Sequence, residues 1–281
     1  MHHVHDDSGT RTRKQSERMV HVVASSSDTD GSVLCVVPTL GQRPDYLVEA
    51  LDSLQRQDHP GLTVVVVAPA DAEHVRAETD RRGLALVVQQ GSGLSGALNE
   101  GFRAHGERHE FWAWLGDDDT LTTGSVALTA DFLRRHPDTS MVYGRCAYVD
   151  EAGRLLHVVR PGPLAARLMR WGPNLVPQPG SLARATAVRK AGLLDETLRY
   201  AMDLDLFLRL QDVGPVRYLP NTLATFRWHA ASTTVADSAA SETEARAVRA
   251  RTWTGRRSGG PLLEPFARVA GRVLHRVQRG Y

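Results

Sequence analysis

Three consecutive aspartates, Asp117, Asp118 and Asp119, have the clearest chemical potential in this sequence. Adjacent carboxylates repel one another, and burial would raise their pKa values, so such a cluster favours a bound cation. Hard oxygen ligands suit Mg²⁺ or Mn²⁺, which proteins commonly share with phosphate oxygens. The alternative is an acidic turn that caps the following helix. Because the apolar run 111–115 leads straight into the triplet, the sequence favours a metal site.

Asp203 and Asp205 form a second acidic element, at the start of an apolar segment that predicts a helix over 202–213. Carboxylates at this position cap a helix and interact favourably with its dipole, and that role alone would explain them. In the functional interpretation, one of them is a general base. Placed opposite a metal-bound phosphate, it would take a proton from an attacking hydroxyl group.

A glycine-rich segment at 91–96 matches the dinucleotide-binding pattern G-x-G-x-x-G, after a predicted strand and before a predicted helix. Asp117 lies at about the downstream distance that this pattern expects, roughly 20 residues. However, the strand is the third in the chain, and three consecutive aspartates are unlike a single ribose-binding acid. An NAD(P)-binding oxidoreductase therefore remains an alternative, and a tight turn at a ligand pocket is the favoured interpretation.

Arg227 and His229 precede a cluster of serine and threonine residues. Near phosphate groups, the arginine would stabilise negative charge and the histidine would be a metal ligand. The alternative is a partly exposed pair at the end of the sheet.

Strands and helices alternate along the first half of the chain, which predicts a parallel sheet covered by helices. The predicted strands are 33–37, 62–67, 84–88 and 111–115, and the predicted helices are 46–56, 72–82 and 94–105. Ligands of such sheets bind at the carboxyl ends of the strands. Four polar or glycine-rich segments are expected at that edge: 38–39, 68–71, 91–96 and 117–119.

The second half of the chain is less regular. It predicts a helix at 125–136, a hairpin of 141–149 with 155–159, a helix at 164–171, a loop at 172–180, helices at 186–191 and 202–213, and an extended segment at 217–226. After Thr234 the composition changes, and we expect a helix at 241–253 and a basic amphipathic helix at 265–278. This last helix could dock on its own domain or contact a membrane surface or a partner.

The composition excludes several classes of protein. The chain has 281 residues, 42% of them hydrophobic, and a formal net charge of +2, which gives no indication of nucleic-acid binding. Its apolar runs are shorter than the roughly 18 residues of a membrane span, and residues 1–30 lack the apolar region of a secretory signal. Cys35 and Cys146 are too few for a disulfide framework or a zinc cluster. We therefore expect a cytoplasmic protein, with peripheral contact at the inner membrane surface left open.

The order and spacing of these segments resemble an inverting glycosyltransferase of the GT-A fold, family 2, over about residues 32–234. Segment 33–39 resembles the opening strand and its Pro-Thr turn, 49–54 the first helix, 97–101 the segment before the metal strand, 114–119 the DXD motif, and 200–210 the acceptor-side helix. The resemblance implies an α/β, Rossmann-like fold with a mostly parallel central sheet flanked by helices, followed here by a C-terminal helical extension.

The resemblance also implies a reaction and a set of site residues. A sugar would move from a nucleoside-diphosphate sugar of the UDP, dTDP or GDP type to an acceptor hydroxyl, with Mg²⁺ or Mn²⁺ as the cofactor. Asp203 matches the catalytic base, and Asp118, Asp119 and His229 the metal ligands. The implied nucleotide-sugar contacts are Pro38, Thr39, Asp71, Asn99, Asp117, Asp118 and Arg227.

The sequence departs from the family pattern at three places. Asp71 is the one acid after the second strand, where the family usually has a pair. Gly96 stands where many similar sequences have an aspartate, and Gly116 occupies the first DXD position. These departures leave the donor nucleotide open, and they keep a non-catalytic nucleotide-sugar-binding homologue as a second alternative.

The composition and the resemblance together suggest a division of the chain. We expect a disordered leader at 1–30, a catalytic domain at 31–235 and a helical tail at 236–281. Within the domain, 31–119 would bind the nucleotide and 120–235 the acceptor. Trp171, Asn174 and Gln178 are the acceptor candidates, and bacterial glycan or natural-product biosynthesis is the expected context.

Overall fold

The structure, a computed structural model, describes residues 31–229 and 238–252. Its strands are β1 (Val33–Pro38), β2 (Leu62–Ala68), β3 (Ala85–Val88), β4 (Phe111–Trp114), β5 (Thr120–Leu121), β6 (Met141–Val149), β7 (Leu155–Val159), β8 (Leu182–Arg184) and β9 (Val216–Arg227). Its helices are α1 (Pro44–Gln55), α2 (Glu73–Arg82), α3 (Gly93–His105), α4 (Ser125–Arg135), α5 (Ala165–Leu168), α6 (Ala185–Ala191), α7 (Met202–Val213) and α8 (Ser238–Thr252). The predicted leader and the predicted basic helix at 265–278 lie outside the described residues.

The strands form one mixed sheet in the order β3-β2-β1-β4-β8-β6-β9-β5, with β7 paired to β6. Strands β3, β2, β1 and β4 are parallel, and β6 is parallel to β9. The remaining pairs are antiparallel: β4 with β8, β8 with β6, β6 with β7, and β5 with β9. The parallel half therefore carries the predicted ligand edge, and the antiparallel pairs link it to the second half.

Helices cover both faces of the parallel half. Alternate side chains of β1 enter two different apolar clusters: Leu34 and Val36 pack into the larger one, and Cys35 and Val37 into the one beneath α1. All six residues of β1 are buried. A strand with both faces covered favours apolar residues at every position, which explains the unbroken apolar runs of β1 and of residues 64–68 in β2.

Most predicted elements are present, with small differences in their bounds. Two short antiparallel strands, β5 and β8, were not predicted. The helix expected at 164–171 extends only over Ala165–Leu168, since the chain turns toward Gly172 and Pro173, residues that do not continue a helix.

Helix α8 confirms the helix expected at 241–253, although it begins earlier, at Ser238. None of the helices in the ranges 31–229 and 238–252 combines the length and the apolar content that a membrane span requires.

Candidate active site

A cavity of about 570 Å³ opens at the carboxyl ends of β1 and β4. Pro38 and Thr39 line it from the end of β1, and Asp117 and Asp118 from the loop after β4. Asp203, at the start of α7, lines the same cavity. The two acidic elements that were 80 residues or more apart in the sequence therefore share one site, as the sequence predicted.

Asp117 is held by the turn that follows β1. Its carboxylate accepts hydrogen bonds from the Thr39 hydroxyl at 2.6 Å and from Arg43 Nη2 at 2.7 Å. The Thr39 hydroxyl oxygen in turn accepts the amide hydrogen of Gly41, whose φ of +73° requires the left-handed region that favours glycine. Burial raises the pKa of Asp117, while these two donors oppose that shift.

Asp119 also lines the cavity, and it contacts the end of β9. One of its carboxylate oxygens accepts the Arg227 amide hydrogen at 3.0 Å. Burial raises the pKa of Asp119 well above its usual range, and the negative charge of Asp118 adds to the increase. Asp119 is therefore positioned to orient the loop against β9, and its assignment as a metal ligand stays a prediction.

Gly116 explains one departure from the family pattern. A Cβ atom at this position would lie 2.8 Å from Asp118 Oδ1 and 3.1 Å from Asp119 Oδ2. These distances are shorter than ordinary van der Waals contacts, so an aspartate here would displace both carboxylates. The glycine permits the observed packing of the triplet, which is offset by one residue from the usual motif.

Asp118 and His229 converge on a single cation, the guanidinium of Arg43. Asp118 Oδ2 lies 2.7 Å from Arg43 Nη1 and 2.8 Å from His229 Nε2, and Arg43 Nη1 lies 2.9 Å from His229 Nε2. A ring nitrogen can accept from the arginine or donate to the carboxylate, but it cannot do both at once. A carboxylate oxygen and an imidazole nitrogen are also suitable ligands for a divalent cation. Asp118 and His229 therefore fit a bound divalent cation.

Asp118 and His229 would supply only part of a coordination shell for such a cation. Within the described ranges, no three His, Cys, Asp or Glu side chains are grouped as a metal site would require. Any cation held by Asp118 and His229 would therefore take its remaining ligands from substrate or water, as Mg²⁺ commonly does.

Arg227 is buried beside the triplet, and it does not line the cavity. Its guanidinium donates to the Glu49 carboxylate, to the Glu151 carbonyl at 2.9 Å and to the Asp118 carbonyl at 3.2 Å. It also lies 4.3 Å from the centre of the Tyr46 ring. These contacts fix the loop that carries Asp118, and the predicted contact of Arg227 with the nucleotide stays a prediction.

Asp203 and Asp205 have different surroundings, which separates their roles. Asp205 is paired with Arg209, Oδ2 to Nη2 at 2.6 Å. Asp203 accepts a hydrogen bond from the Asn174 side chain at 2.8 Å and one from the Leu204 amide at 2.7 Å. Burial raises the pKa of Asp203 to about 6, although these donors oppose the shift. Of the two carboxylates, Asp203 is thus the one that lines the cavity, and its assignment as the general base stays a prediction.

Two predicted nucleotide contacts lie elsewhere. Asp71 is exposed and does not line the cavity. Asn99 is buried, and its side chain exchanges hydrogen bonds with the Leu194 backbone at 2.9 and 3.0 Å and donates to Glu196 at 2.8 Å. The glycine-rich segment contributes a turn at the cavity, where Gly93 has a φ of +79°. The nucleotide contacts predicted for Asp71 and Asn99 stay predictions.

Among the acceptor candidates, Asn174 and Gln178 line the cavity, whereas Trp171 does not. Arg43 was missed in the sequence analysis, although it contacts Asp117, Asp118 and His229. A basic residue four positions after the Pro-Thr turn was the available signal, since that turn was expected at the nucleotide.

Comparison with known proteins identifies relatives of this chain. The family model described as glycosyl transferase family 2 matches residues 34–188. An uncharacterized glycosyltransferase of Rickettsia conorii is 25% identical over 199 residues, which is 66% of this chain and 32% of the relative. One of Rickettsia prowazekii is 24% identical over 207 residues, 68% of this chain and 62% of the relative. The chain thus spans about a third of the length of the first curated relatives it matches.

Solved structures share the fold. TarS 1–349 of S. aureus, in complex with UDP-GlcNAc, has a TM-score of 0.59 at 17% identity, with 84% of this chain and 69% of that chain covered. The mannosyltransferase PcManGT of Pyrobaculum calidifontis, in complex with GDP-Man and Mn²⁺, has a TM-score of 0.57 at 19% identity, with 86% and 69% covered. The expected GT-A fold is therefore confirmed. Since the family model matches more than half of its residues, the chain belongs to glycosyl transferase family 2.

Proposed function

We propose that this protein is a metal-dependent, inverting glycosyltransferase that moves a sugar from a nucleoside-diphosphate sugar to an acceptor hydroxyl. The observation that carries the proposal is that one cavity is lined both by Asp118, next to His229, and by Asp203. Asp118 and His229 suit a diphosphate with its cation, and Asp203 suits an acceptor hydroxyl that must lose a proton. Family membership supports glycosyl transfer as the reaction class.

The donor end of the cavity is the end of β1 and β4. Pro38 and Thr39 line it together with Asp117, and Arg43 adds a positive charge that could contact phosphate oxygens. The similar structures are complexes with UDP-GlcNAc or with GDP-Man and Mn²⁺, which supports a nucleotide-sugar donor and a divalent cation. When bound, the cation would neutralise negative charge that develops on the leaving nucleoside diphosphate.

Asp118 and His229 would hold the cation, and Asp117 and Asp119, on either side of Asp118, would orient it. Asp117 is tied to β1 through Thr39, and Asp119 is tied to β9 through the Arg227 amide. This arrangement supports Asp118 as the principal ligand, because it is the aspartate of the triplet that contacts His229. A contribution of Asp119 as a further ligand remains part of the proposal.

Asp203 would be the general base. A hydroxyl proton of the acceptor moves to the carboxylate of Asp203 as the hydroxyl oxygen attacks the anomeric carbon. The bond between that carbon and the leaving phosphate oxygen breaks on the opposite side, so a single displacement inverts the configuration. The raised pKa of Asp203, about 6, supports this role, since its conjugate acid is formed more readily than that of an ordinary aspartate.

The proposed binding roles follow the order of the two halves along the chain. We assign donor binding to residues 31–119 and acceptor binding to residues 120–235, with Asn174 and Gln178 as acceptor contacts. The contact of the loop after β4 with the end of β9 is one of the places where the two halves meet.

A thermal-shift panel tests the donor end of this proposal. The chain is heated with UDP, dTDP, GDP or NAD(P), each with and without Mn²⁺. We expect one nucleoside diphosphate to raise the melting temperature only when Mn²⁺ is present. A shift with NAD(P) alone, independent of metal, would instead support an oxidoreductase.

Replacement of Asp203 tests the base. Asp203→Asn should retain the nucleotide-dependent shift and lose turnover of the donor identified by the panel. The matched control is Glu242→Gln on the exposed face of α8, which should retain both. Full turnover by Asp203→Asn, with intact folding and nucleotide binding, would rule out Asp203 as the base.

A further inference from the structure

Helix α8 lies beyond the segment that the family model matches, yet it forms part of the cavity wall. Ser241 and Ala245 line the cavity from this helix. Val248, on its inner side, is fully buried in the larger apolar cluster. The helix is therefore packed on the catalytic core beside α7, whose first turn carries Asp203.

Glu244 of α8 binds the backbone that leads into α7. Its carboxylate accepts three amide hydrogens: from Arg199 at 2.9 Å, from Tyr200 at 2.5 Å and from Ala201 at 2.6 Å. Amides near the start of a helix have no partner within that helix and need an external acceptor. Helix α7 has no side-chain cap at Ala201, and the charge of Glu244 satisfies these donors from a neighbouring helix.

A second contact of α8 reaches the other side of Asp203. Arg249 is buried, and its Nη1 donates to the carbonyl oxygen of Gly172 at 2.9 Å. Gly172 lies two residues before Asn174, whose side chain donates to Asp203. Helix α8 thus holds both segments that determine where the Asp203 carboxylate lies: the one that precedes it and the one that supplies its hydrogen-bond donor.

We propose that Glu244 is a positioning residue, which fixes the backbone at 199–201 so that the Asp203 carboxylate faces the acceptor hydroxyl. This inference rests on the proposed role of Asp203 as the base. Three charge-assisted hydrogen bonds to consecutive amides leave that backbone little freedom, and Asp203 follows only two residues later. A small displacement of a catalytic group is enough to reduce turnover, since proton transfer requires hydrogen-bond distance.

The test compares Glu244→Gln and Glu244→Ala with Glu242→Gln, all in the full chain. Glu242 is an exposed residue of the same helix and pairs with Arg246, one turn away. Hydrogen exchange of the amides at 199–203 is measured by mass spectrometry. We expect exchange to accelerate roughly tenfold or more in both Glu244 variants, and to be unchanged in the Glu242 variant.

The catalytic readout is the release of nucleoside diphosphate from UDP-GlcNAc and from GDP-Man, with water as the acceptor. A positioning role predicts that kcat falls roughly tenfold in Glu244→Ala and less in Glu244→Gln, which keeps one oxygen acceptor, while KM for the donor stays within about twofold. Unchanged exchange at 199–203 overturns the proposal, and so does faster exchange with wild-type kcat.

A double-mutant cycle at pH 8 covers the case in which neither donor is hydrolysed. The change in melting temperature caused by Asp203→Asn is measured in the wild-type and in the Glu244→Gln background. If Glu244 fixes the position of the Asp203 carboxylate, the two changes differ; equal changes overturn the proposal. Failure of the base assignment is recognised separately, as turnover that survives Asp203→Asn while exchange still responds to Glu244.

Discussion

Replacement of Asp203 with asparagine is expected to stabilise the protein at pH 8, although it removes the proposed base. Burial raises the pKa of this carboxyl group from 3.8 to about 6, so at pH 8 the folded protein contains an ionised group in an environment that disfavours the charge. Asparagine has a similar shape and no charge, so the substitution removes the free-energy cost of holding an ionised carboxylate in this environment.

The size of the effect follows from the two pKa values. A difference of about two units corresponds to about 3 kcal/mol of folding free energy. In the variant an NH₂ group replaces one carboxylate oxygen, and it cannot accept the hydrogen bond that the Asn174 side chain donates. Loss of that hydrogen bond costs about 1 kcal/mol. Partial access of the cavity to solvent reduces the first figure, so a net gain of about 1–2 kcal/mol is expected. In a chain of this size, the melting temperature should rise by roughly 2–8 °C.

The gain has a definite dependence on pH. Because the folded pKa of Asp203 lies above the unfolded one, the folded state holds an extra proton between pH 3.8 and about pH 6. The stability associated with that proton is fully present below the unfolded pKa and is lost as the pH rises through the folded pKa. The electrostatic part of the advantage of asparagine is therefore nearly complete at about pH 7 and falls to roughly half at pH 5, whereas the lost hydrogen bond costs the same at both pH values.

Differential scanning calorimetry at pH 8 and at pH 5 measures this prediction. Asp205→Asn is the matched control: it breaks the ion pair with Arg209, whose atoms lie 2.6 Å apart, and should lower the melting temperature at pH 8. The reasoning is refuted if Asp203→Asn lowers the melting temperature at pH 8, or if its gain is the same at both pH values.

Three further predictions follow. Turnover should fall about tenfold per pH unit below pH 6, since only ionised Asp203 accepts a proton; a flat kcat profile between pH 5 and 8 contradicts this. Gly101→Ala should lower stability by about 1–3 kcal/mol in thermal unfolding, because its Cβ would lie 2.7 Å from Val36 Cγ1, and an unchanged melting temperature argues against the packing described. Arg43→Gln removes a cation from the Asp118 carboxylate and should tighten Mn²⁺ binding, measured alone by calorimetry, by about 1 kcal/mol or roughly fivefold; weaker binding would show that Arg43 supports the metal rather than competing with it.

Local patterns in the sequence were sufficient for the parallel half of the fold. The strand at 33–37 and the aspartates after the fourth strand were predicted because unbroken apolar runs end at polar residues, and that pattern needs no knowledge of distant contacts. Helix α7 was predicted from its apolar spacing with its bounds unchanged, Met202–Val213. The predicted association of Asp203 with the triplet rested on the family resemblance.

The remaining features depend on contacts that no local pattern contains. Strand β5 has two residues and β8 has three, too few for a hydrophobic period to be visible. Arg43 reaches Asp118 across 75 positions of sequence, and its role becomes visible only when β1 and β4 lie side by side. The need for glycine at 116 arises from the packing of carboxylates around it, which sequence spacing does not reveal.

The pairing of β5 with β9 has a consequence for how this chain can vary. Thr120 pairs with Thr225, and this ladder sets the distance between Asp118 and His229, although 111 positions separate them. Insertions in the loops between the two strands can therefore reshape the acceptor region without moving these two side chains apart. Deletion of a single residue between Thr225 and His229 would instead move His229 to the position of Trp228 and away from Asp118, because a shift of one residue turns a strand's side chains to the opposite face. The backbone register thus separates the part of the site that can diversify from the part that cannot.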